Sequence, residues 1–305
     1  MHILGIGLAV LSAAALSFGN LWQAKGIELA TARKGDGKLF VTMIRTPTWL
    51  LGTALYGIAI LLQVASLAFA PLMLVQPIGV LALVFAVFLG AKMSGTAPAH
   101  GIYRAISLCL VGVVAYVIIA AQVSKQKAIT DTELIGVLIA LCVALALAAV
   151  AWLTGRGRTR LAPILYVLFG GLFSAFVAAL GKTVLLRVQA SFAGHEFTLD
   201  AAGLLTIACL IGIGIAGALS IYFVQKAYTC NPSDVVVAGT TVIDPAISVF
   251  IGIVILHEAA SAPVWSLLAI LVAGIVATIG VFMLSKAEAV EDGEAETSPQ
   301  QGAEQ

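Results

Sequence analysis

The stretch "VIDPAISVF", residues 242–250, sets a carboxylate, Asp244, and a helix breaker, Pro245, side by side inside an apolar run. What that pair means depends on the solvent around it, and composition identifies the solvent. Of 305 residues, 61% are hydrophobic and 10% charged, with a mean hydropathy of +1.09. Soluble domains carry about 25% charged residues. A soluble core of this size cannot hide so much apolar surface and keep a wettable exterior. The chain therefore reads as an all-α polytopic membrane protein, and the stretch lies in hydrocarbon.

A hydrocarbon core of about 30 Å takes roughly 20 apolar residues of helix. Working outward from 242–250 with that measure predicts nine spans: 3–24, 48–69, 72–91, 101–121, 133–153, 162–184, 202–224, 235–256 and 263–284. Pro47, Pro71, Pro98, Pro163, Pro232 and Pro263 stand at or beside span ends, where helices start or stop. The apolar N-terminus has no Lys or Arg ahead of Ile3 and reads as a transmembrane helix rather than a signal peptide.

Loop charge orients the spans. With the N-terminus outside, Lys25, Arg33, Lys34, Lys38, Arg45, Lys92, Arg104, Arg156, Arg158, Arg160, Lys226 and Lys286 face the cytoplasm. Only Lys125, Lys127, Lys182 and Arg187 fall on the other side, so the expectation is N-terminus out and C-terminus in. Residues 286–305 are acidic beyond Lys286, hold too little apolar surface to fold, and are expected to form a disordered cytoplasmic tail.

An internal echo accompanies the Asp-Pro pair. "AFAPLMLVQPIGVLALVFAVFLGAKMS" (68–94) and "AYTCNPSDVVVAGTTVIDPAISVFIGIVILHEAAS" (227–261) both open on an Ala-aromatic pair. Each then has one proline near a span start and a second inside the span. Pro77 and Pro245 correspond, preceded by Gln76 and Asp244, and both are expected to interrupt their helices. The predicted orientation makes the copies inverted, with a first half over 1–121 and a second over 122–285. Matched interruptions in two inverted halves point to a central transport site.

Asp244 is the deepest ionisable group, about 14 Å along its helix from Val235. Thr241, Asp244 and Ser248 share a helix face by their spacing. Pro245 removes the donor that would bond the Thr241 carbonyl. An ionised carboxylate within the bilayer costs a few kcal/mol, so it should face a polar cavity or a partner. One role is to bind a proton or a cation; the other is to bond a neighbouring helix and hold the bundle together. Lys182 and Glu258 fall at a similar level and suit either an outer gating ion pair or two side chains that snorkel to the interface. Gln63, Ser66 and Gln76 add polar groups along a pathway, or interhelical hydrogen bonds.

Other chemistry is thinly represented. Cys109, Cys142, Cys209 and Cys230 lack metal-ligand spacing and read as small hydrophobes. "GIGIAG" (212–217) fits GxGxxG but lies in an apolar span without a preceding strand, where small residues let helices approach. "HEAAS" (257–261) lacks a second histidine, and neither a P-loop nor a nucleophile elbow occurs. An enzyme, a cofactor and a nucleic-acid partner are not expected, and no metal site is assigned. The expected partners are the lipid bilayer and a small-molecule or ion substrate, with a homodimer left open.

The paired blocks resemble the two halves of the drug/metabolite transporter (EamA-like) superfamily, whose second half carries a proline and then a Glu at the helix end. Pro245 and Glu258 stand so here, whereas Ala91 takes the corresponding Glu position of the first half. "GIGLAVLSAAALSFGNLWQAKG" (5–26), "VASLAFAPLMLVQPIG" (64–79), "PILYVLFGGLFSAFVAALGK" (163–182) and "QKAYTCNPSDVV" (225–236) look most like the NIPA-type magnesium transporters and their bacterial relatives. The resemblance implies export of a small metabolite or drug; the residues add the expectation of a multi-pass protein of the plasma (bacterial inner) membrane working by alternating access, with Asp244 as the group that would couple a proton. Where the NIPA pattern has Glu and Asn, this chain has Gln63 and Ser66, which removes a carboxylate that a hard divalent cation would want. Magnesium transport, with Asp244 as ligand, carriage of an envelope lipid or lipid-linked sugar, and a non-transporting membrane scaffold are the alternatives.

Overall fold

A computed structural model describes residues 2–32, 39–95, 100–126, 129–155, 162–194 and 201–301. Among them the chain is helical throughout, without strands. The helices are α1 (His2–Ala32), α2 (Leu39–Ile44), α3 (Pro47–Phe69), α4 (Leu72–Ile78), α5 (Leu81–Ser94) and α6 (His100–Val123). They continue with α7 (Asp131–Gly155), α8 (Pro163–Gly194), α9 (Ala201–Tyr228), α10 (Ser233–Val254) and α11 (Val264–Gln301). Nine stretches among the described residues are long and apolar enough to cross a membrane, α4 and α5 together making the third. They coincide with the nine predicted spans apart from shifts at the ends. Helix is the expected answer in hydrocarbon, because it satisfies each backbone group within its own segment.

The chain divides into two compact units, residues 1–70 with 78–98, and residues 71–77 with 99–305. This division runs differently from the sequence halves 1–121 and 122–285, since α6 lies along α11. In the first unit α3 lies along α1. Gly19 and Gly52 make the close approach possible: a Cβ on Gly19 would stand 2.9 Å from the Tyr56 amide nitrogen, and one on Gly52 would stand 2.5 Å from that of Gln23. Small residues are the usual means of bringing helices together where lipid removes the hydrophobic drive. Ser12 Oγ donates to the Ala59 carbonyl at 2.7 Å across the same seam.

In the second unit Gly112 meets Ala277 and Gly280 meets Cys109 where α6 and α11 cross. Helices α8 and α9 share an aromatic cluster, with Phe169 and Phe223 centroids 5.2 Å apart and Phe173 and Phe223 5.8 Å apart. Ser220 Oγ donates to the Gly170 carbonyl at 3.0 Å between them. Helix α7 begins with a capping box: the Thr130 amide donates to Glu133 Oε2 at 2.9 Å, and the Glu133 amide points back to Thr130 Oγ1 at 3.4 Å.

Three expectations need comment. Pro245 does not interrupt its helix, because α10 runs unbroken from Ser233 to Val254. Pro245 has no amide to donate to the Thr241 carbonyl, and the helix continues beyond it. Pro77 differs, since α4 ends one residue after it, at Ile78, and a turn at Gly79 and Val80 separates α4 from α5. The backbone of 286–301 is helical where composition predicted disorder. Ala and Glu have high helix propensity, and the apolar span already supplies the costly nucleus. Residues 302–305 lie outside the described residues, as do Arg33, Lys34, Lys38, Pro98, Lys127, Arg156, Arg158 and Arg160 from the charge and proline patterns.

Candidate functional site

Asp244 sits in the middle of α10, half-buried, on the side that faces α8. Gly171 on α8 permits the contact, since a Cβ there would stand 2.7 Å from Ile243 Cγ2 and 3.3 Å from the Asp244 amide nitrogen. With the helices this close, Ser174 Oγ donates to Asp244 Oδ2 at 2.5 Å. Ser248, one turn on and fully buried, donates to Asp244 Oδ1 at 3.3 Å. Each carboxylate oxygen thus meets one hydroxyl. No basic side chain lies within ion-pair distance of Asp244 among the described residues. Hydroxyls can donate to a carboxylate or accept from a carboxyl, so the arrangement suits both protonation states.

The predicted face of Thr241, Asp244 and Ser248 is realised in part. Ser248 reaches the carboxylate, while the Thr241 side chain makes no hydrogen bond to it. The Thr241 carbonyl is the one whose helical partner would have been the amide that Pro245 lacks. Ser174 was not singled out in the sequence. It lies within "GGLFSAF" (170–176), where the two glycines signal a close helix contact but not which helix is contacted.

A second constellation surrounds Glu258. Helix α10 ends at Val254, and the chain turns through His257 with a φ of 52° before α11 begins. That turn folds Glu258 back into the bundle. Its Oε1 accepts from Lys182 Nζ at 2.7 Å and from the Leu72 amide at 2.7 Å, and its Oε2 accepts from the Met73 amide at 2.8 Å. Lys182 is 2% exposed and Glu258 4%, so neither snorkels to the surface. A small cleft beside the pair is lined by Lys125, Gln126, Glu133, Lys182, Leu256 and Glu258. At its rim the Glu133 Oε1 lies 3.8 Å from His257 Nδ1, and Arg187 pairs with Asp131 at 2.5 Å nearby on α8 and α7.

The remaining predicted residues are distributed over both units. Gln76 is buried on α4 just before Pro77. Gln63 and Ser66 lie on α3 in the first unit, where the buried Ser66 hydroxyl donates to the Gln63 carbonyl at 3.0 Å. Among the described residues no group of three or more His, Cys, Asp or Glu side chains is placed to hold a metal ion. Comparison with protein families, with characterised proteins and with solved structures finds no match for this chain.

Proposed function

We propose that this chain is a secondary transporter of a small metabolite or drug, working by alternating access across the plasma membrane with Asp244 as its coupling site. On this reading the halves are inverted repeats, the N-terminus is outside, and net movement is outward with a proton exchanged. One observation carries the proposal. Among the described residues, a half-buried carboxylate in a stretch able to span a membrane is met by hydroxyls alone, one turn from a carbonyl that has lost its helical donor.

An ion in hydrocarbon is expensive unless it is paired or can meet water or a ligand. Here Ser174 and Ser248 hold the carboxylate in place without neutralising it. The Thr241 carbonyl and the carboxylate together supply oxygen acceptors on one helix, a set suited to a proton or to the cationic part of a substrate. Binding on one side and release on the other would then require the groups around Asp244 to exchange access between the two faces.

The test is flux in proteoliposomes, wild type against Asp244→Asn, with a panel of cationic metabolites and drugs and with magnesium under an imposed pH gradient. Asn retains the shape and can still accept from Ser174, so the variant should fold. We expect flux that follows the proton gradient in wild type and falls at least about tenfold in the variant, equivalent to the loss of about 1.4 kcal/mol or more of coupling. Magnesium flux lost in the variant would instead assign a divalent-cation carrier. Flux that survives Asp244→Asn would remove Asp244 from the mechanism. Silence of both proteins toward every solute would leave lipid carriage or scaffolding.

A further inference from the structure

Helix α4 begins with four backbone donors that the helix cannot satisfy itself, from Leu72, Met73, Leu74 and Val75. Leu74 and Val75 donate to the Pro71 carbonyl at 3.0 and 3.1 Å. Leu72 and Met73 donate to Glu258, almost two hundred residues along the chain. Further on, Pro77 has no amide for the Met73 carbonyl, and Tyr116 Oη on α6 donates to that oxygen at 3.0 Å. Every backbone group at the start of α4 that its own turn leaves open is therefore answered, and Leu72, Met73, Leu74 and Val75 are fully buried.

Glu258 is itself held on all sides. Its amide donates to the Gly252 carbonyl at 2.9 Å, and its carbonyl accepts from the Lys125 amide at 2.8 Å. Gly252 leaves room for the carboxylate, because a Cβ there would stand 2.7 Å from Glu258 Oε2. Parting Lys182 from Glu258 would pull apart two charges that are 2% and 4% exposed and would take the carboxylate from two backbone amides. Losing one partner of such a pair is far costlier than keeping it.

We propose that Glu258, Lys182 and Tyr116 clamp α4 as a fixed block, and that the Lys182–Glu258 pair is a permanent anchor rather than a gate. This goes beyond the transport reading and stands or falls without it, because its readouts need no flux. In the full-length wild-type protein, reconstituted in nanodiscs, amide hydrogen exchange at Leu72 and Met73 should be as slow as in the buried helix centres. Exchange there about a hundredfold or more faster than at those centres would mean that the pair opens, and would overturn the proposal.

Glu258→Gln takes from Lys182 the carboxylate it bonds at 2.7 Å and should lower the Tm by about 10 °C. The double variant Lys182→Met/Glu258→Gln removes both charges and should recover most of that loss. A double variant as damaged as the sum of its single changes would show that the two charges do not act as a pair. Should the Glu258 variants fail to fold, Tyr116→Phe removes one hydroxyl only. It should speed exchange at Leu74 and Val75 about tenfold while leaving α7 unchanged. Unchanged exchange in α4 would exclude Tyr116 from the clamp and overturn the proposal.

Discussion

Asp244 in α10 and Glu258 in the turn that follows it are acids fourteen residues apart, and their surroundings could hardly differ more. Glu258 is buried with an ammonium and two backbone amides on its oxygens. Asp244 is half-buried and meets two hydroxyls. The prolines repeat the contrast. The carbonyl freed by Pro77 is taken by Tyr116, whereas no side chain among the described residues donates to the one freed by Pro245. A fully compensated charge is bound into the fold, where any change is felt as stability. An incompletely compensated one can exchange partners, and so is the better place for a ligand or a proton.

The sharpest way to break this comparison is to neutralise one group on each side. Lys182→Met leaves a buried carboxylate without its cation and should cost about 3–5 kcal/mol, seen as a large fall in Tm in detergent. Asp244→Asn should stay within about 1 kcal/mol of wild type in the same assay, since no opposite charge is abandoned. Equal losses would erase the distinction between anchor and site. A smaller effect tests how Asp244 is held. Gly171→Ala forces α8 away from Ile243 and the Asp244 backbone, and should cost about 1–3 kcal/mol in thermal unfolding. The smallest separates the two serines. Ser174→Ala should cost about 1 kcal/mol and Ser248→Ala less, because the 2.5 Å bond to Ser174 is the better one and that to Ser248 is long. The reverse order would make Ser248 the principal support.

Much of the fold was legible because the bilayer imposes a simple rule. Lengths of apolar sequence convert directly into spans, and the nine predicted from 3–24 to 263–284 return as nine helical stretches long and apolar enough to cross a membrane among the described residues. Asp244 was also legible, since an acid in a long apolar run stands out whatever surrounds it. Ser174 was not. A serine in a membrane helix bonds its own backbone as readily as a neighbour, and only the α8–α10 crossing over Gly171 brings it to Asp244.

The sequence by itself determined that the chain is helical, that it has nine apolar stretches able to cross a membrane, and that Asp244 lies deep in one of them, because composition and length are local properties. Only the tertiary structure decided what each polar group does. Lys182 and Glu258 could each have snorkelled to the interface; the turn at His257 buries one against the other and sets Glu258 on the start of α4. Pro245 could have broken α10; the helix continues through it, and the Thr241 carbonyl goes without the amide that a proline lacks. Partners distant in sequence carry no local signature, and it is the partners that separate an anchor from a site.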